Sequence, residues 1–178
     1  MAHDLSQPIS DKDHHRGRLD APMQLVVYGD YECPYTRRAL GEIRTVREQL
    51  GDKLVFVFRN FPLIEVHRHA LHAAEAAEAA ARQDRFWEMH DRLFGHQREL
   101  TDTDLLEHAR QLNLDEVRFT QDRISEPVFR KIADDVDTGE SSGVQGTPGL
   151  FVNRRFYQGS YEAPELIEAA SISSPRIT

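Results

Sequence analysis

Cysteine is nearly absent: Cys33 is the only one in 178 residues. A single thiol closes no internal disulfide, which excludes the stapled architecture of small secreted scaffolds. Long apolar runs are missing as well. No stretch approaches the ~18 residues that a membrane-spanning helix needs. The start, Met1-Ala2-His3-Asp4-Leu5-Ser6-Gln7, lacks the basic-then-apolar order of a signal peptide. The expectation is a cytoplasmic protein with no membrane partner. Positive charge is short too, with 22 Lys and Arg against 30 Asp and Glu for a net −8. That balance disfavours binding to phosphate backbones. The basic residues read as scattered (Arg37-Arg38, Arg44, Arg47, Arg59, Arg154-Arg155), so nucleic acid is not an expected partner.

Metal-ligand spacing is also lacking. His67 and His69 would point about 200° apart on a helix, and the adjacent His14 and His15 have no third ligand nearby. His67, His69, His72, His90, His96 and His108 read as surface or helix-boundary residues, and no metal is expected.

What is present is organised around Cys33. The run Met23-Gln24-Leu25-Val26-Val27-Tyr28 is a β-forming stretch bounded by Pro22 and Gly29. Arg37 to Leu50 carries Leu40, Ile43, Val46 and Leu50 at helical spacing. Cys33 thus lies where a strand gives way to a helix, with Pro34 at the first helical position, where a missing N–H costs nothing. Free N–H groups and the positive end of the helix dipole favour an anion there, which for cysteine is the thiolate. The competing reading is a small buried hydrophobe. Glu32 next door would oppose the dipole, and Asp30 reads as a strand-end turn residue with a proton acceptor as the alternative.

A chain of 20.5 kDa fits one domain, or one domain with a large insertion. Residues 1–21 read as a polar, solvated arm. Leu54-Val55-Phe56-Val57-Phe58 is a second strand of the continuous kind buried on both faces, which completes a βαβ unit with a right-handed crossover. From 65 to 139 the composition turns helical: an alanine-rich helix through Ala70 to Ala81, and an aromatic amphipathic stretch around Phe86, Trp87, Met89, Leu93 and Phe94. Thr101-Asp102-Thr103-Asp104 forms a capping cluster, and Pro127 opens the last helix. Roughly 75 helical residues exceed a simple crossover and read as an inserted subdomain. Leu150-Phe151-Val152, a turn at Asn153-Arg154-Arg155, the return Phe156-Tyr157-Gln158-Gly159 and a helix over Glu165 to Ala170 then give ββα. The expected organisation is an α/β domain from 22–64 and 140–170, an inserted helical subdomain at 65–139, and a tail at 171–178.

This order, with Tyr28-Gly29-Asp30-Tyr31-Glu32-Cys33-Pro34-Tyr35, Arg59-Asn60-Phe61-Pro62-Leu63, Phe86-Trp87-Glu88-Met89-His90 and Val144-Gln145-Gly146-Thr147-Pro148, resembles the thioredoxin fold. More closely it resembles the DsbA-like thiol–disulfide oxidoreductases. The likeness implies that Cys33 is the attacking cysteine and that Pro34 and Tyr35 face substrate. It also implies that Pro148 follows a cis bond, which only X–Pro adopts at modest cost. The backbone of Thr147 would then pair with an extended substrate strand. The departure is Thr36, which stands where the family has its second cysteine. Its hydroxyl can hydrogen-bond a Cys33 thiolate but cannot resolve a mixed disulfide. The expected protein is therefore a monothiol thiol–disulfide oxidoreductase with no bound cofactor. Its partners are a disulfide-containing protein or small molecule and an external resolving thiol, glutathione or another small thiol serving as co-substrate. Two alternatives stand: a kappa-like glutathione transferase, and a non-catalytic peptide-binding or redox-sensing module. Oligomeric state is not legible.

Overall fold

The computed structural model describes residues 4–172. The elements in chain order are β1 (His14–Arg16), β2 (Met23–Gly29), α1 (Pro34–Leu50), β3 (Leu54–Asn60), α2 (Ala70–Ala81), α3 (Phe86–Gly95), α4 (Asp102–Gln111), α5 (Glu116–Arg123), α6 (Glu126–Ser141), β4 (Gly149–Val152), β5 (Arg155–Tyr157) and α7 (Ala163–Ile172). Of the tail expected at 171–178, Ser171 and Ile172 close α7 and the rest lies outside the described residues, as do Met1 to His3.

The five strands form one sheet in the order β1-β3-β2-β4-β5. The central pair is parallel, Met23 opposite Leu54 through Gly29 opposite Asn60, and α1 supplies the crossover. β4 runs antiparallel to β2, and β5 returns antiparallel on β4. The return is tight because Asn153 and Arg154 both take positive φ, 45° and 73°. This is the backbone that a two-residue hairpin needs to match strand twist.

Side chains alternate across the sheet. Leu25, Val27, Phe56 and Phe58 share one core with the apolar residues of α1, α2, α3 and α7. Val26, Tyr28, Val55 and Val57 face a second core closed by Phe61, Val144 and Phe151. With helices on both sides, every residue of β3 is buried. α1 contributes Ala39, Ile43 and Val46 to the first core, and burying each of the two larger side chains is worth roughly 1.5–3 kcal/mol.

The α/β fold with its inserted helices matches the expectation. α2 is packed by α3, α5 and α6, and its alanines, buried at 73, 74, 76, 77, 79 and 80, let these neighbours approach from several sides at once. Thr101 caps α4 through a capping box: its hydroxyl accepts from Asp104 N, and the Asp104 carboxylate accepts from Thr101 N.

The N-terminal segment differs from the solvated arm expected. β1 pairs antiparallel with β3, His14 opposite Phe58 and Arg16 opposite Phe56, and Leu5 is 2 % exposed. The cause is polar. Buried Arg59 donates to both Asp13 carboxylate oxygens (2.8 and 3.1 Å), to the carbonyls of Gln7 and Pro8, and to the Tyr28 hydroxyl. Burial alone would raise the Asp13 carboxyl, but the hydrogen bonds and charge of Arg59 hold it below the ordinary carboxylate range. His14 locks β1 further, bonding the Glu78 carboxylate at 2.9 Å and stacking on Phe86 at 3.5 Å.

Candidate active site

β2 ends at Gly29, a position where nothing larger fits: a Cβ there would lie 2.5 Å from the Phe58 ring and 2.8 Å from the Thr36 methyl. The chain then turns through Asp30, whose carbonyl accepts from Cys33 N at 3.1 Å. Cys33 is the N-cap of α1, with extended φ and ψ (−74°, 119°) and no side-chain cap bond. Pro34 occupies the first helical position as expected. Cys33 therefore stands at a helix start, where the first backbone N–H groups have no partner within the helix. Its Sγ–H donates across the sheet to the Thr147 carbonyl at 3.5 Å, and Cys33 is 3 % exposed. The Thr147–Pro148 peptide is cis. Tyr161, just before α7, donates its hydroxyl to the Pro148 carbonyl at 3.3 Å. Pro34 and Tyr35 lie on the solvent side of the turn, Tyr35 being 70 % exposed. The geometry thus brings Cys33 against Thr147 of the Thr147–Pro148 loop, with Pro34 and Tyr35 following Cys33 on the exposed side of the turn.

Thr36 takes a different part from the one expected. It is fully buried, its methyl lies against Gly29, and its hydroxyl accepts from Asp30 N at 3.5 Å. Among the described residues no hydrogen bond joins it to the Cys33 sulfur. The inward turn of the side chain gives its hydroxyl to the loop backbone instead of the thiol.

The loop is held by residues that the sequence did not single out. Gln97, between α3 and α4, donates its carboxamide to the carbonyls of Tyr31 (2.8 Å) and Cys33 (3.0 Å). No motif marks it, since its role exists only once α3 has packed. Asp30, 1 % exposed, accepts from Glu32 N, Leu63 N and His67 Nδ1, the last at 2.8 Å. The Glu32 carboxylate accepts from His69 N at 2.7 Å, which ties it to the segment before α2. These bonds staple the Cys33 turn to the loop after β3.

Two of the histidines expected at the surface are buried, His90 at 3 % and His108 at 2 % exposure. His90 lies under the site, where the Tyr31 hydroxyl donates to its Nδ1 at 3.0 Å. Burial, with the charge of Arg16 behind it, holds His90 well below its ordinary pKa, so the ring is neutral and can accept that bond. Burial likewise pushes the Tyr31 phenol well up, keeping it a donor. Among the described residues no group of three or more His, Cys, Asp or Glu side chains is placed to hold a metal.

A cysteine at the strand-to-helix turn, facing a Thr-Pro loop across a βαβ–ββα sheet, defines a thioredoxin-type protein. The chain belongs to the thioredoxin family, whose model matches residues 10–169. Within it the fold is the DsbA-like form with inserted helices. It is similar to a thioredoxin-like oxidoreductase from Silicibacter pomeroyi, at 26 % identity and a TM-score of 0.83 over 92 % of this chain and 93 % of that one. BdbD from Bacillus subtilis, in its oxidised form, shares the fold at 23 % identity and a TM-score of 0.78, covering 96 % and 97 %. In sequence the chain is 45 % identical over 168 residues to a protein named Na(+)/H(+) antiporter NhaA 1 from Mycolicibacterium vanbaalenii, and 46 % identical over 171 residues to one of the same name from Salinispora arenicola. These matches take in 93 % and 94 % of this chain but only 27 % and 26 % of those relatives' lengths.

Proposed function

We propose that the protein is a monothiol thiol–disulfide oxidoreductase. The observation that carries this is the Cys33 sulfur at a helix N-terminus, aimed at the Thr147 carbonyl in a fold shared with an oxidoreductase. The Cys33 thiolate attacks one sulfur of a disulfide R–S–S–R′. That bond breaks as the Cys33–S–S–R bond forms, and R′–S⁻ leaves and takes a proton. An external thiolate, glutathione or another small thiol, then attacks the sulfur of R. The new disulfide carries R away and Cys33 returns as thiolate. The external thiol's sulfur ends in the new disulfide and R′ leaves as thiol, so the number of disulfides is unchanged and no further redox partner is required. Pro34 and Tyr35 flank the incoming chain, and Thr147 with Pro148 offers backbone for it to lie along. Thr36 sets the mechanism by what it withholds, since no second thiol stands there to expel the substrate.

The test is intact-mass spectrometry after incubation with oxidised glutathione. The wild-type chain gains one glutathione, reduced glutathione removes it, and Cys33→Ser gains none. No adduct on the folded wild-type chain would move the reading to a binding module.

A second reading rests on the relatives: a segment of this kind makes up about a quarter of proteins named as antiporters. It supports a domain that acts beside a membrane ion transporter and exchanges disulfides with it. Cross-linking through a trapped mixed disulfide in membranes from the source cell tests this. Capture of the transporter supports the reading, and capture of soluble proteins alone opposes it.

A further inference from the structure

Arginines that look scattered along the sequence are gathered by α1. Arg37, Arg44 and Arg47 fall at spacings of seven and three, which places them along one flank of the helix. β1 brings Arg16 to the same place, and a cleft of about 410 Å³ opens between α1 and α3 with these four guanidinium-bearing side chains in its lining. Cys33 does not line it; its sulfur faces the Thr147 loop instead.

The charge in this cleft is uncompensated. Its one carboxylate, Asp91, is taken by Arg16 at 2.6 Å. Among the described residues, Arg37, Arg44 and Arg47 make no salt bridge, as is true of other arginines such as Arg38 and Arg98, and what sets these three apart is that they line one volume. In a chain with eight more acidic than basic residues, carboxylates to pair these three are not in short supply. Burial, followed by the charge of Arg16, holds the half-buried Arg47 guanidinium below its usual range. The same positive field reaches the buried His90 ring on the cleft floor, which Arg16 and Arg47 both act on. The floor also has an apolar part, Phe56 and Phe94, with the Arg47 guanidinium 6.0 Å from the Phe56 ring centre.

We propose that the α1–α3 cleft binds a small organic phosphate of nucleotide size, at a site separate from the thiol. Arginine forks match phosphate oxygens in pairs, and three unpaired guanidinium groups around one volume suit a multiply charged anion. The volume lies within the range of small-molecule sites. Half-buried Leu40 in the lining, above the buried Phe56 and Phe94, gives the organic part an apolar contact.

The test is calorimetric titration of the intact protein with ATP and, separately, with inorganic pyrophosphate, both free of metal. Saturable binding of both ligands tighter than ~1 mM is expected. Arg44→Ala and Arg47→Ala should each weaken it by about tenfold, the loss of one charge-assisted contact. Arg44 is exposed, so its variant folds even if the half-buried Arg47 change proves disruptive. Arg155→Ala, outside the cleft, should leave affinity unchanged, and so should Cys33→Ser. Absence of saturable binding, equal affinity in Arg44→Ala, or equal weakening by Arg155→Ala would overturn the site. None of these outcomes bears on glutathione capture by Cys33, so the two proposals fail independently.

Discussion

At the scale of single residues, position 36 decides how far the chemistry goes in the proposed mechanism. Thr36 is buried one helical turn from Cys33 and bonds the loop backbone, and among the described residues it makes no hydrogen bond to the sulfur. A cysteine is close to it in size. Thr36→Cys is expected to fold and, on mild oxidation, to close a disulfide between Cys33 and the introduced thiol. It would be seen as a mass lighter by two hydrogens with loss of reaction toward thiol reagents. A variant that folds but stays reduced would mean that the turn cannot bring the two sulfurs together. His90 shows a second effect of burial. Its folded pKa lies below the ~6.5 of the unfolded chain, so below that pH the unfolded state binds the extra proton and stability falls as pH drops. The slope from this one group is at most ~1.4 kcal/mol per pH unit. His90→Phe should flatten the stability profile between about pH 6.5 and 5 in denaturant titrations, and an unchanged slope would place the dependence elsewhere. Cys33 and Pro34 were legible from the sequence because a strand gives way to a helix there, and the cis bond before Pro148 was legible only through the family resemblance. His90 and Gln97 were not, since a histidine in an amphipathic stretch and a glutamine in a loop look alike whether buried or exposed.

At the scale of elements, the N-terminal segment is ordered by polar contacts that periodicity does not reveal. Sequence reasoning looks for apolar spacing, and 1–21 has almost none. The segment is held instead by one arginine from β3 that reaches Asp13 and two backbone carbonyls. Breaking a buried pair by removing one partner costs ~3–5 kcal/mol, because the other charge is stranded. Asp13→Asn is therefore expected to lower stability by that order at neutral pH in chemical denaturation. The carboxyl is held low in the folded state, so its contribution is present above the unfolded value near 3.8 and is lost as pH falls through the folded value. The difference between wild type and variant should shrink on acidification. A constant difference would assign the loss to packing. The helices fared better in the sequence: the alanine run, the Thr101 cap and Pro127 each mark a boundary by local chemistry, and α2, α4 and α6 begin within a residue of those marks.

At the scale of the whole molecule, two continuous apolar runs and a hairpin signal were enough to give the parallel β2–β3 pair and the antiparallel β4–β5 return, while the pairing of β4 on β2 is a tertiary contact that neither run marks. The edge strand β1 escaped, being three polar residues long. The sheet serves the chemistry by fixing two turns face to face, the Cys33 turn after β2 and the Thr147 loop before β4, so that a thiol and a strip of backbone meet with little freedom. The inserted helices hold the first of these turns through Gln97 and the His67–Asp30 contact. Steady-state turnover of a glutathionylated peptide, followed against reduced-glutathione concentration, tests the account most directly. A rate that rises with reduced glutathione and vanishes in Cys33→Ser is the expected result. Turnover that survives loss of Cys33, or that ignores the external thiol, would contradict a single-thiol cycle.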